Sequence, residues 1–353
     1  MPRSTLLYVI NRYYTYMTIL SALLLSSCTA VQAPVVLDVA IDQNVVSDVQ
    51  TGAIIARTES ITEALQVRLA ELRRRHGRGA INLPMRTAGG LQCWGDRCWD
   101  GGWRIQENVL TGHCRLLAPN QVRQAWGSYA ACQVALEERR LVGAVPTTSG
   151  HLVILVHGLL RSHGCLDAIG AALAARGVAV ARLSYPSTRQ GLAEHATRLR
   201  ELLDGLHGIS RVSFVTHSLG ALVVRTALEK PSPHWPTLGR AAFCFPPNQG
   251  SARADAWSTR WIYRVVMGPV GQEVTTTHAP LIPLPTLPFA VIAGTGGNNR
   301  TIPGPDDGTV GVAETWLPGA ERWDIFPVKH TFGMNAPEVI TTVGEYILAG
   351  QHE

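Results

Sequence analysis

From Gly150 onward the chain alternates short apolar runs with helix-patterned segments, and this alternation restricts the fold more than any other feature. The runs are LVILV at Leu152, VAVARL at Val178, RVSFV at Arg211, AAFCF at Ala241, FAVIA at Phe289 and WDIFPV at Trp323. Between them lie CLDAIGAALAARG, LAEHATRLRELLDGL and LGALVVRTALEK, the last halted by Pro231. A strand that is apolar at every position must be buried on both faces, as in a parallel sheet covered by helices. The pattern predicts an α/β domain over 150–350 with a doubly wound, mostly parallel sheet, binding ligands at the carboxyl ends of its strands.

The other segments read differently. A chain of 353 residues, 46% hydrophobic, can bury such a core and still form a smaller region. Residues 28–58, with Pro34, read as a linker. Over 59–145 a helix pattern (Ile61, Leu65, Leu69, Leu72), with a capping box at Ser60 and Glu63 and an end at Gly77, leads into a Cys/Trp-rich stretch. The interval 231–288 is rich in proline and tryptophan (KPSPHWP, PLIPLPTLP) and reads as a cap or lid over the site, the alternative being a solvent-exposed excursion. The net charge of +5 is spread out, and RRRH at Arg73–His76 falls where cations favour a helix end. Both features argue against a nucleic-acid partner.

Arg3 and Arg12 precede an apolar stretch ending ILSALLLSSC, too short to span a bilayer comfortably and read as a secretion signal over 1–27. Leu25-Ser26-Ser27-Cys28 resembles the lipobox of bacterial lipoproteins. The resemblance implies lipidation of Cys28, and Thr29 behind it implies an outer-membrane protein facing the periplasm; an ordinary signal peptide or an uncleaved anchor is the alternative. Of seven cysteines, Cys93, Cys98, Cys114, Cys132, Cys165 and Cys244 remain. An even number in an exported chain predicts disulfides, above all among the first four; a zinc site there would lack the usual paired C-x-x-C spacing. Cys165 and Cys244 can instead be buried thiols.

Ser218 lies between the strand pattern RVSFV and the helix pattern LGALVV, in THSLGA. A tight strand-to-helix turn pushes a serine out of the sheet above a helix N-terminus, although the same hydroxyl could serve only as a helix cap. Gly220 supplies the second glycine of G-x-S-x-G, and Thr216 stands in place of the first. With HGLL at His157–Leu160 and PPNQGS at Pro246–Ser251, the stretch from about Gly150 resembles the α/β-hydrolase family and its lipase-like serine esterases. That resemblance implies Ser218 as nucleophile and the amides of Leu159 and Leu219 as the oxyanion hole. It makes His157 and His217 structural. The family order of serine, acid and histidine points to His330 in VKHTFGMN as base, rather than His234, the cap residue His278 or the terminal His352. The acid is expected at Asp307 in GPDDGTV, with Asp306 the near rival and Asp324 a weaker one; a calcium-binding or plain turn is the other reading of the double Asp.

The expected function is hydrolysis of carboxylic esters, of lipidic or other apolar acyl groups, through an acyl-enzyme, with no metal or organic cofactor. Acyl transfer by the same triad, or a catalytically silent envelope lipoprotein, are the competing readings.

Overall fold

The computed structural model describes residues 39–49, 51–76, 85–86 and 92–349. The signal segment, Cys28, Gly77 and His352 lie outside the described residues. Strands β1 (Val39–Asp42), β2 (Val45–Asp48) and β3 (Ile54–Arg57) form a three-stranded antiparallel sheet. Much of the expected linker 28–58 is therefore strand. Val39 and Val46 pack against Ala64, Leu69 and Leu72 of helix α1 (Ile61–His76), so even these short strands have a buried face. Ser60 Oγ accepts the Glu63 amide at 3.2 Å, while the Glu63 carboxylate accepts from the amide of Glu59 at 3.0 Å rather than from Ser60.

The Cys/Trp-rich stretch is a second antiparallel sheet. Its strands are β4 (Met85–Arg86), β5 (Trp94–Asp100), β6 (Trp103–Asn108), β7 (Cys114–Leu117) and β8 (Val122–Gly127), in the order β4-β8-β7-β6-β5. Helix α2 (Tyr129–Leu141), capped by Ser128 Oγ on the Ala131 amide, covers one face. There Tyr129, Cys132 and Leu136 meet Ile105, Leu116 and Ala125. The other face buries polar groups: Gln106 Nε2 donates to Asp96 Oδ1 at 2.7 Å, Arg104 pairs with Asp96 at 3.3 Å, and Arg115 Nε donates to Gln106 Oε1 at 3.0 Å.

The expected disulfides are not formed, and Cys93, Cys98, Cys114, Cys132, Cys165 and Cys244 are all free thiols. Cys98 and Cys114 sit on β5 and β7, which flank β6. Two strand spacings, about 9–10 Å, exceed the reach of a disulfide. Cys114 and Cys132 belong to the apolar cluster instead.

From Gly150 the predicted alternation appears as β9 (Gly150–Val156), α3 (Asp167–Ala174), β10 (Ala179–Leu183), α4 (Leu192–Asp204), β11 (Ile209–His217), α5 (Leu219–Leu228) and β12 (Thr237–Cys244). Helices α6 (Ala252–Ser258), α7 (Trp261–Met267) and α8 (Val270–Glu273) then precede β13 (Phe289–Gly294), α9 (Val312–Thr315), β14 (Arg322–Phe326) and α10 (Pro337–Leu348). All six strands are parallel, in the order β10-β9-β11-β12-β13-β14. Alternate residues of β9 enter opposite cores. Leu152, Ile154 and Val156 join α4 and α5 on one face; Val153 and Leu155 join α3 and α10 on the other. The chain winds from β9 out to β10 and returns to β11 on the other side of β9. A crevice therefore opens at the carboxyl ends of β9 and β11, where the winding reverses.

The cap interval contains all of β12 and then α6 to α8. Helix α7 has no buried residue, and Trp261, Ile262, Val265 and Val266 are exposed. The root of the interval is fixed by Arg225 of α5, which is 1% exposed. Its guanidinium donates to the carbonyls of Ile282, Pro283 and Asn248 and to Asn248 Oδ1. Burial without a carboxylate partner pushes its pKa down to about 10.

Candidate active site

Strand β11 ends at His217, and α5 starts at Leu219, leaving Ser218 alone in the turn with φ +52° and ψ −121°. A side-chain-bearing residue in such a conformation costs on the order of 1–3 kcal/mol and persists only where its surroundings hold it. The Ser218 amide donates to the Cys244 carbonyl at 2.9 Å, and a Cβ on Gly220 would meet the Val156 carbonyl oxygen at 2.4 Å. Only glycine at 220 lets α5 approach β9 this closely. Thr216, at the other small position of the motif, is buried in β11 with its hydroxyl unpartnered.

The structure brings Ser218, His330 and Asp307 into one chain of contacts. Ser218 Oγ lies 3.0 Å from His330 Nε2, and His330 Nδ1 lies 2.7 Å from Asp307 Oδ2. The other carboxylate oxygen of Asp307 accepts the amides of Thr309 and Val310 at 2.9 and 2.8 Å, and the His330 amide donates to the Asp307 carbonyl. A carboxylate at Nδ1 favours the tautomer with its proton there, leaving Nε2 to accept from Ser218.

Asp306 is occupied in shaping the turn, its Oδ1 accepting the Gly308 amide at 2.6 Å and its carboxylate also receiving the Asn299 amide. Asp324 pairs with Arg322 at 3.1 Å. His278 bonds to Thr275 in the cap interval, and His234 is an exposed turn residue. None of these four joins the Ser218 cluster. Among the described residues no group of His, Cys, Asp and Glu is arranged to hold a metal.

His157 and His217 are built in as neutral rings. His157 Nδ1 faces the Gly158 carbonyl at 2.9 Å while its Nε2 receives the Tyr185 amide, and burial lowers its pKa to about 4. His217 Nε2 faces the His330 carbonyl at 3.0 Å, and burial holds this ring well below the usual histidine value. His217 thus props the backbone of His330. Phe245, with φ +55°, packs edge-on against both His217 and His330. Sequence reasoning missed Phe245, since an aromatic residue at the end of an apolar strand has no local signature.

Leu159 and Leu219 line a cleft of about 360 Å³ together with Ser218 and His330. Leu219 is the first residue of α5, so its amide has no acceptor within the helix. Gly158 lies against the elbow, where a Cβ would meet His217 Nδ1 at 2.6 Å. In the same turn Leu160 has φ +59°, and Arg161 Nη2 donates to the Thr331 carbonyl beside His330. The sheet order, with the serine elbow after its third strand and the acid and histidine after its fifth and sixth, is that of the α/β-hydrolase fold.

Residues 146–241 match the family described as "Putative serine esterase (DUF676)". The matched segment runs from just before β9 into β12 and contains the elbow and the HGLL loop. No curated protein matches the chain. Among solved structures, the lipase BlEst2 of Bacillus licheniformis in its mature form is 17% identical, with 54% of this chain and 88% of that one covered, at a TM-score of 0.45. The lin2722 gene product of Listeria innocua is 16% identical over 57% and 95% of the two chains, at 0.42. The metagenomic carboxyl esterase MGS0156 is 19% identical over 57% and 73%, at 0.41.

Proposed function

We propose that the protein hydrolyses carboxylic esters through a covalent acyl-enzyme, with Ser218 as nucleophile, His330 as general base and Asp307 as the group that orients and stabilises the imidazolium. The observation that carries this reading is the unbroken Ser218–His330–Asp307 contact chain on a strained strand-to-helix turn. Ser218 Oγ attacks the ester carbonyl as its proton passes to His330 Nε2. The amides of Leu159 and Leu219 stabilise the tetrahedral oxyanion. His330 returns the proton to the departing alkoxide, and water then cleaves the acyl-enzyme by the same proton path.

The cleft favours an apolar acyl group. Besides Leu159 and Leu219 it is walled by Pro247, Ala254, Met267 and Val274, with Arg161 and Arg253 its charged residues, and Tyr263 and Met267 continue into a groove of about 710 Å³ lined by Trp257 and Trp261. The cap interval therefore supplies much of the acyl subsite. A lipidated Cys28 would hold such an enzyme at a membrane, beside lipidic esters; the Leu25–Cys28 lipobox supports that part of the reading.

The direct test is to label the intact protein with a fluorophosphonate and identify the modified residue. Ser218 should carry the adduct, and Ser218→Ala should abolish both labelling and hydrolysis of a short p-nitrophenyl ester while remaining folded. Labelling elsewhere, or normal turnover in the folded variant, overturns the reading.

A further inference from the structure

The turn that would present the Leu159 amide is closed by the Arg161 amide on the Gly158 carbonyl at 3.2 Å, with Leu160 in a left-handed conformation. A non-glycine residue keeps that conformation only if neighbours hold it. The Leu160 amide donates to Ser187 Oγ at 3.1 Å, and Ser187 Oγ donates to Gln92 Oε1 at 3.1 Å. The other end of the same side chain closes a ring, since Gln92 Nε2 donates to the Arg161 carbonyl at 3.0 Å. The amide and hydroxyl of Thr188 also point at Gln92 Oε1, each at 3.1 Å. Donors on one side and a carbonyl on the other fix the orientation of the Gln92 amide. Ser187 is wholly buried, so solvent has little room to replace its bonds.

Gln92 comes from the turn just before β5, outside the family-matched residues 146–241. Its strand is docked where the bonds require it: the Asp96 amide donates to the Ser184 carbonyl at 2.8 Å, and the Ser184 amide returns to Asp96 Oδ2 at 2.6 Å. The antiparallel sheet thus grips the segment after β10 at Ser184 and again at Ser187 and Thr188, and through Gln92 reaches the loop after β9.

We propose that Gln92 is a positioning residue for acyl transfer, locking the 158–161 turn so that the Leu159 amide is already aimed at the oxyanion when the ester binds. This rests on the functional reading above. The accessory sheet then completes the catalytic site without touching substrate. A donor aimed in advance stabilises charge that appears only in the transition state, so its loss lowers kcat and leaves ground-state binding largely alone.

The test compares Gln92→Ala and Gln92→Glu with the unaltered full-length protein, using a short p-nitrophenyl ester and an aryl trifluoromethyl ketone, whose serine adduct carries the same oxyanion. Gln92→Ala should lower kcat by about 10- to 100-fold, less than outright loss of an oxyanion donor, with KM within about threefold. Ketone affinity should fall by the same factor as kcat/KM. Gln92→Glu keeps an acceptor for Ser187 and Thr188 but cannot donate to the Arg161 carbonyl, and should fall between the two. Unchanged kcat in either folded variant overturns the proposal. So does a loss of kcat with undiminished ketone affinity, or a loss that merely tracks the folded fraction. These outcomes are scored against an unaltered protein that hydrolyses the ester and labels at Ser218; its failure to do either would instead strike the functional reading.

Discussion

Along β9 every residue from Leu152 to Val156 is apolar and buried, whereas along β5 the buried positions include Asp96 and Arg97. Apart from its edge strand β14, none of whose residues is buried, the parallel sheet is insulated by helices on both faces and held by dispersion and the hydrophobic effect. The antiparallel sheet is apolar under α2 and at Trp99, which joins the core beside α4. Its other face buries Asp96, Arg104, Gln106 and Arg115, while Arg97 reaches Glu201 and Arg198 reaches Glu107 across the junction with α4. The contrast separates a scaffold that tolerates apolar substitutions of similar volume from a docking face whose partners must all be present, because a half-satisfied buried network is costly.

The sharpest break of that contrast lies at the carboxyl edge of the parallel sheet. Asp307→Asn should reduce turnover of a p-nitrophenyl ester by about 10⁴-fold with the fold intact, because the wrong histidine tautomer is then favoured. Asp306→Asn should stay within about tenfold, since its carboxylate shapes the turn and does not meet His330. A reversal of the two would exchange their roles.

Next in size are paired substitutions in the two sheets. Asp96→Ala leaves Arg104 buried beside an empty position and should cost about 3–5 kcal/mol in urea unfolding. Ile154→Val, in the middle of β9, should cost only about 0.5–1.5 kcal/mol. Equal costs would erase the distinction.

Acid should act on the parallel-sheet side first. His157, His195 and His217 are buried there, and burial holds all three below the ordinary value, His157 at about 4 and His195 at about 3. Below about pH 6.5 the unfolded chain protonates these rings and the folded chain does not. Stability should be full above that pH and fall steadily as pH drops towards 4, with His157 alone contributing about 2–3 kcal/mol. Urea midpoints at pH 7, 6 and 5 measure the slope; a flat profile would show that these rings are not buried as neutral groups.

The smallest expected effect is that of reductant, which should leave the melting temperature unchanged. Cys98, Cys114 and Cys132 are unbridged, and burial raises all three thiols, Cys98 to about 11 and Cys114 to about 12, which makes them inert near neutrality. A marked fall on reduction would show that bridges form after all.

The same contrast explains what could be read in advance. Strands such as LVILV are legible because burial on both faces leaves a continuous apolar run. Ser218, Asp307 and His330 are legible because each follows such a run in a recognisable order. Trp94–Asp100 gives no such signal: a strand whose buried positions carry Asp and Arg resembles a solvated segment until its partners are known. The cysteines misled for a related reason, since a buried thiol used as a small apolar group looks the same in sequence as half a disulfide. Gln92 lies 95 positions from Ser187 in the chain, and an amide bridge over that distance leaves no periodicity or motif.

Arg225 sets a division of timescales within the cap interval. Lifting residues 282–283 away would strand a guanidinium in a low-dielectric interior after loss of its carbonyl partners, a penalty of several kcal/mol. Opening at that root is therefore rare and slow, and its amide protons should exchange only on the schedule of large-scale unfolding. Helix α7 is held by partly buried side chains, among them Tyr263, which packs on the core and donates its hydroxyl to the Gly271 carbonyl, and its amides should exchange sooner than those of the root. The wall of the groove that carries Trp261 should thus open locally more often than the root held by Arg225.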